Sequence, residues 1–251
     1  MLRPKGIVVL AILAVAVFSG TSTRCWAYTT GGGIVNTPHD FSTAYRTKVG
    51  LCTFCHTPHK AISTQLLWNH TLSSNATFHW ESGAMTEAGT PYPTFPKTYA
   101  GPTAKCLSCH DGSVAIGDIA WFKGAKPAPI TGVTVSGAYN VGVSGIMSGN
   151  HPVAMPYPYL RTGSTYNLST TGSALIPTEW VSDPTASGIR LFNDDGKGNI
   201  SAGAVSAKTG IECTSCHDVH NGASTQDWPL LRGMLTGTDS TYLCNKCHLK
   251  Y

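Results

Sequence analysis

Cys213-Thr-Ser-Cys216-His217-Asp218-Val219-His220 sets two thiols three residues apart, an imidazole directly after the second thiol, and a further imidazole three residues on. The Cys-x-x-Cys-His part recurs as Cys52-Thr-Phe-Cys55-His56, Cys106-Leu-Ser-Cys109-His110 and Cys244-Asn-Lys-Cys247-His248, which leaves Cys25 as the one cysteine outside the pattern. At this chain's own cysteine and histidine content, chance would produce roughly 0.01 such motifs. Thiols at this spacing reach the two vinyl groups of one haem, and the next residue's imidazole swings beneath the ring to the iron. A zinc site would pair two motifs through four thiolates or use two distant histidines, and a thioredoxin-like dithiol would occur once within a βαβ pattern. Neither puts histidine after every second cysteine. The sequence therefore predicts four covalently bound haems c, attached at Cys52 and Cys55, Cys106 and Cys109, Cys213 and Cys216, and Cys244 and Cys247, with His56, His110, His217 and His248 as iron ligands.

Four porphyrins account for an otherwise puzzling composition. Only 12% of the 251 residues are charged, half the share in an ordinary soluble domain, while 27 glycines and 15 prolines disfavour long regular elements. An apolar fraction of 41% still excludes a disordered chain. Haems can supply much of the missing apolar interior, so the expected fold is a mostly irregular multihaem cytochrome c fold. It has short helices at the haem motifs, a few short β-hairpins, and chain wrapped around a haem stack. Nucleic acid is a poor partner: Arg3, Lys5 and Arg24 carry three of the four net positive charges, and no basic stripe interleaved with aromatics remains.

Arg3 and Lys5 precede an apolar and small-residue run from Ile7 to Gly20, then a polar stretch ending at Ala27. This is the pattern of a secretory signal peptide over residues 1–27, removed to leave a single tetrahaem domain over 28–251. A membrane anchor is the rival reading, but a helix of that length spans about 21 Å against a hydrocarbon core of roughly 30 Å. Lipid attachment at Cys25 is disfavoured by Ser22-Thr23-Arg24 before it. The expectation is an exported protein, extracellular or at the cell surface, or alternatively periplasmic, with no transmembrane segment after processing.

Six histidines lie outside the attachment motifs: His39, His59, His70, His79, His151 and His220. His59 and His220 follow an attachment histidine by three residues. Residues three apart project to one side, so neither can take the opposite face of its own motif's haem, and each serves a different iron if it ligates at all. His39 in Thr37-Pro38-His39-Asp40 and His151 in Asn150-His151-Pro152 are imidazoles in stiffened loops. His70 and His79 are flanked by Trp68, Phe78 and Trp80 and rank last, as residues that pack against haem edges. Met85, Met147, Met155 and Met234 offer a competing ligand type, but with surplus histidines their expected role is packing.

Between the second and third motifs, residues 124–205 are rich in Gly, Ser, Thr, Pro and Val. Ile130 to Val135 alternates as a strand would, and Ile189 to Phe192, a polar turn over 193–199, and Ile200 onward predict a β-hairpin. Asp195, Lys197 and Asn199 faintly resemble a calcium loop, but without the following glutamate a plain turn is the better reading. Asn69, Asn75 and Asn167 head glycosylation-type triplets.

The segments CTFCHTPH from Cys52, LWNH from Leu67, CLSCHDG from Cys106, Asn150-His151-Pro152, CTSCHDVHN from Cys213 and the terminal LCNKCH resemble the exported multihaem cytochromes of metal-reducing bacteria, and most of all their tetrahaem filament-forming (OmcE-type) branch. The resemblance covers the haem-binding points, and within residues 124–205 it rests on Asn150-His151-Pro152 alone. It implies bis-histidine iron along a continuous haem stack and head-to-tail polymerisation into an extracellular conducting filament. It also implies that the second histidine of the N-terminal motif, His59, crosses to a haem of the next subunit. It favours His39, His59, His151 and His220 as second axial ligands over His70, where related sequences commonly carry arginine.

Three functions compete. An electron carrier, polymerised or as a soluble periplasmic shuttle, needs closed six-coordinate irons, whereas a multihaem reductase needs an open or displaceable position. The surplus of histidines favours the carrier, with no catalytic residue, and with other exported cytochromes or extracellular electron acceptors as partners. A structural matrix component is hard to reconcile with histidines placed to bridge haems.

Overall fold

The computed structural model describes residues 29–44, 50–62, 65–86, 91–122, 133–161, 179–194, 200–201, 210–222, 230–233 and 243–249. Most of the described residues are irregular. Among them are three α-helices, α1 (Phe41–Ala44), α2 (Pro102–His110) and α3 (Cys213–Cys216), and several short 3₁₀ turns. Six two-residue strands form three antiparallel ladders: β1 (Thr77–Phe78) with β2 (Phe95–Pro96), β3 (Met155–Pro156) with β6 (Gly210–Ile211), and β4 (Asn193–Asp194) with β5 (Ile200–Ser201). Among the described residues, no helix is long and apolar enough to cross a membrane.

The core gathers Phe78, Trp80, Phe95, Leu107, Met147, Met155, Tyr157, Leu191 and Ile211, with Cys213 and Cys247 packed at its edge. It therefore lies directly under the second, third and fourth motifs. Met147 and Met155 are part of it, Met85 is exposed, and Met234 lies outside the described residues.

Two sequence expectations change. The expected strand at 130–135 is absent over Val133–Val135, and 130–132 lie outside the described residues. Instead, the Val133 carbonyl takes a single hydrogen bond from the Ile116 N–H. The expected hairpin near 190–200 has its ladder at Asn193–Asp194, later than the apolar run suggested. Ile189, Leu191 and Phe192 are buried, and packing claims those side chains. The turn between the strands, with Asp195, Lys197 and Asn199, lies outside the described residues, as do the signal-peptide segment and Asn167.

Candidate haem sites

The second and third motifs share one device, and the first and fourth each have their own. In α2, Gly101 precedes Pro102, whose ring suits the first helical position because that N–H would be unpaired anyway. No local side chain caps the helix. The carboxylate of Glu212, more than a hundred residues away, instead accepts the Thr103 N–H at 2.9 Å and the Tyr99 hydroxyl at 2.5 Å. Glu212 is also the N-cap residue of α3, its N–H donating to Ser215 Oγ at 2.9 Å, while the Cys213 N–H donates to Thr103 Oγ1 at 3.1 Å. One buried carboxylate thus locks the second and third motifs together. A side chain at Gly101 would run into Tyr99 and this carboxylate. Gly112, at φ +70, closes α2 in the left-handed conformation that β-carbons disfavour.

Burial pushes the Glu212 carboxyl up to about 7, against hydrogen bonds from Thr103 and Tyr99 and the charge of Lys105. The folded protein then holds this proton to higher pH than the unfolded chain. Its contribution is complete below the ordinary carboxylate range and is lost as pH rises toward 7, a change on the order of 3 kcal/mol. Glu212→Gln, neutral and of the same shape, is expected to flatten the fall in stability between pH 5 and 8. Thermal unfolding of both proteins across that range checks this, and an equal slope in the variant would exclude Glu212 as its source.

The first motif is a turn rather than a helix, closed by the Cys55 and His56 N–H groups on the Cys52 carbonyl. Fully buried Asn69 ties it down: its amide donates to Thr53 O at 2.6 Å and Trp121 O at 3.0 Å, and its Oδ1 accepts the Trp121 N–H at 3.0 Å. That amide is structural, so Asn69 is no glycan acceptor. The His56 Nδ1–H donates to Leu66 O at 2.6 Å. Leu66 and Leu67 have φ of 59° and 51°, strained for side chains of this kind, and their carbonyls serve His56 and the Thr57 N–H. The fourth motif begins as a 3₁₀ turn (Cys244–Lys246) strapped by Val181 N–H to Cys247 O and Leu249 N–H to Glu179 O, with the Tyr157 hydroxyl on Val181 O and Cys247 O.

Three attachment imidazoles face a second one. The ring centroids are 6.1 Å apart for His56 and His220, 6.1 Å for His110 and His39, and 6.4 Å for His151 and His248. Two imidazoles on opposite sides of one metal, each with a bond of about 2 Å to the nitrogen and roughly 1 Å more to the ring centre, have centroids about 6 Å apart. The Nδ1–H groups of His56, His110 and His151 donate to the Leu66, Tyr139 and Pro152 carbonyls at 2.6, 2.9 and 2.8 Å, which fixes the tautomer that leaves Nε2 for a metal. Burial first, then His110, His217 and His220, lowers His39 to about 4, so it stays neutral, the form that ligates.

His217 has no second imidazole facing it at this distance among the described residues. Of the remaining histidines, His70 is buried at 2% exposure with both ring nitrogens at backbone carbonyls, Thr71 O at 2.7 Å and Ala115 O at 2.9 Å. It is a satisfied core residue. His59 and His79 are exposed.

The thiols form a succession. Burial, then the neighbouring Cys55, pushes Cys109 up to about 12; the Cys106 thiol is raised by its hydrogen bond with Cys213; burial, then Cys213 and Cys244, pushes Cys216 up to about 11; and Cys247, raised to about 12 by burial, also feels Cys216. Successive motifs thus adjoin one another in space, and His220 brings the third motif beside the first as well. No described group of three or more His, Cys, Asp or Glu side chains could chelate an ion alone. A porphyrin supplies four of the six iron ligands itself, so an opposed imidazole pair is all it requires of the protein.

The surroundings fit such a group. Buried polar atoms that meet no hydrogen-bond partner include His39 Nδ1, Trp68 Nε1 beside His56, and Thr214 Oγ1 within the third motif. Large apolar side chains stand exposed beside the motifs: Ile62, Leu66 and Leu67 near His56, Tyr139 at His110, and Leu249 after His248. An apolar disc with a polar rim would cover the second set and offer partners to the first. Compared with protein-family models and with curated proteins, the chain matches none.

Proposed function

We propose that this chain is an exported tetrahaem c-type cytochrome with bis-histidine irons, an electron carrier rather than an enzyme, which polymerises head to tail into a conductive filament. The observation that carries the reading is the set of three attachment histidines, each opposed by a second imidazole at the span of one metal. The adjacency of the four motifs supports a conduit, because it would bring the haems close to one another.

Bound haem would supply a one-electron iron couple. The protein's own work is to hold it. Cys52 and Cys55, Cys106 and Cys109, Cys213 and Cys216, and Cys244 and Cys247 anchor four rings. His56 with His220, His110 with His39, and His248 with His151 would hold three of the irons, which would leave those irons no position for substrate. His217 would take its partner from the exposed His59 of a second copy, as in the filament-forming cytochromes that the motifs resemble.

Mass spectrometry tests the cofactor count: the mature polypeptide is expected to carry four haem masses, and three or fewer on a fully matured sample would refute the reading. Electron microscopy separates fibres with a regular subunit repeat from the discrete particles that a soluble periplasmic shuttle would give.

A further inference from the structure

We propose that Asp218 positions His220 and lowers the reduction potential of the iron site formed by His56 and His220, an inference that rests on the bis-histidine reading above. Asp218 lies between His217 and His220, and its carboxylate is mostly buried. Oδ1 accepts the His220 backbone N–H at 3.1 Å and lies 4.0 Å from His220 Nδ1. Oδ2 accepts the Gly222 N–H at 3.3 Å and faces Arg232 Nη1 at 3.7 Å. The backbone is held on both sides, Asp218 N–H to Leu230 O and Asn221 N–H to Asp218 O, each at 2.9 Å. Arg232 is equally fixed: its Nε–H is shared between Thr214 O at 2.8 Å and His217 O at 3.3 Å, and its backbone N–H donates to Cys216 O. A negative charge is therefore locked beside the His220 imidazole, with the Arg232 guanidinium facing its far oxygen.

The contrast with the other ligands gives this arrangement its meaning. His56, His110 and His151 present Nδ1 to neutral backbone carbonyls, whereas His220 has a carboxylate on that side. A carboxylate behind a ligating imidazole increases its basicity and stabilises the more positive, oxidised metal. Here the charge is partly buried, where water and salt screen it weakly. Arg232 faces the far oxygen and offsets part of that charge, so removing Arg232 strengthens the effect that removing Asp218 abolishes.

The test is a potentiometric titration of the full exported holoprotein followed by electron paramagnetic resonance, in the wild type, Asp218→Asn, Asp218→Ala and Arg232→Gln. Asp218→Asn keeps an acceptor for the His220 N–H, so four low-spin centres are expected with one midpoint shifted upward. Arg232→Gln is expected to shift that midpoint downward. Opposite signs mark a charge effect, since mere loosening of the turn would move both variants the same way. Asp218→Ala frees the His220 backbone as well and is expected to add high-spin iron at one centre. Superimposable titrations of wild type and Asp218→Asn, or shifts of the same sign in Asp218→Asn and Arg232→Gln, would overturn the assignment while leaving bis-histidine coordination standing. A wild type without low-spin haem would overturn both.

Discussion

A His39→Ala chain will mature with four haems attached but with about one quarter of its iron high-spin, because one centre loses its sixth ligand. The expectation follows from the His39–His110 pair and from how rigidly the loop presents that imidazole. Thr37 Oγ1–H donates to Ile34 O at 2.7 Å, the Asp40 N–H to Thr37 O at 2.9 Å, and the Asn36 N–H to Asp40 Oδ2 at 2.8 Å, which makes one closed turn around His39. Asn221 anchors that loop from the third motif, its amide donating to Thr29 O at 2.7 Å and Gly33 O at 3.1 Å. Free imidazole added to the His39→Ala protein should enter the opened position and restore the low-spin spectrum. Asn221→Ala removes fully buried hydrogen bonds, at a cost of about 2–4 kcal/mol, and should loosen the same ligand without deleting it. Four low-spin irons in His39→Ala would mean that another histidine serves His110.

The proposed attachment motifs can be recognised from local sequence, because spacing alone places two thiols and an imidazole on one turn. Second ligands are not local. His220 meets His56 across more than 160 residues of chain, and nothing in the sequence marks that pairing. Residue spacing keeps His220 from the far face of a haem held by its own motif, but only the packing of Asn221 against the 29–33 segment puts His39 and His220 on neighbouring sites. Glu212 has a role that is hidden in the sequence for the same reason. It precedes Cys213 as an ordinary acid, and its role as the missing cap of α2 exists only once Thr103 is beside it. The misplaced hairpin has a different cause: alternation at Ile189 to Phe192 reports burial, and in a chain this poor in regular structure burial does not require a ladder. His70 shows the reverse case, a histidine in an aromatic setting whose two backbone hydrogen bonds make it structural.

His59→Ala should abolish fibres. His217 is the attachment histidine left without a facing imidazole among the described residues, and His59 is exposed in a turn closed by Thr57 Oγ1–H on its carbonyl at 3.0 Å. His59 cannot reach the far face of its own motif's haem, so a donor and an acceptor of the same bond stand on different parts of one chain. Two copies satisfied in this way each leave one unsatisfied end. The contact is heterologous, and it grows into a filament when the rotation does not close. In His59→Ala the haem at Cys52 and Cys55 stays attached, one iron per chain becomes high-spin, and microscopy should find discrete particles. Free imidazole should return that iron to low spin without returning the fibres, which separates coordination from assembly. Mixed into wild-type protein at low ratio, the variant still accepts a histidine but donates none, so it should end growing filaments and shorten them in proportion to its share. His70→Ala should lower stability, since it empties a buried site with two backbone hydrogen bonds, yet leave spin state and fibres as they are. Fibres of normal length from His59→Ala with every iron low-spin would mean that subunits join without this bond, and the cross-subunit ligand would have to be abandoned.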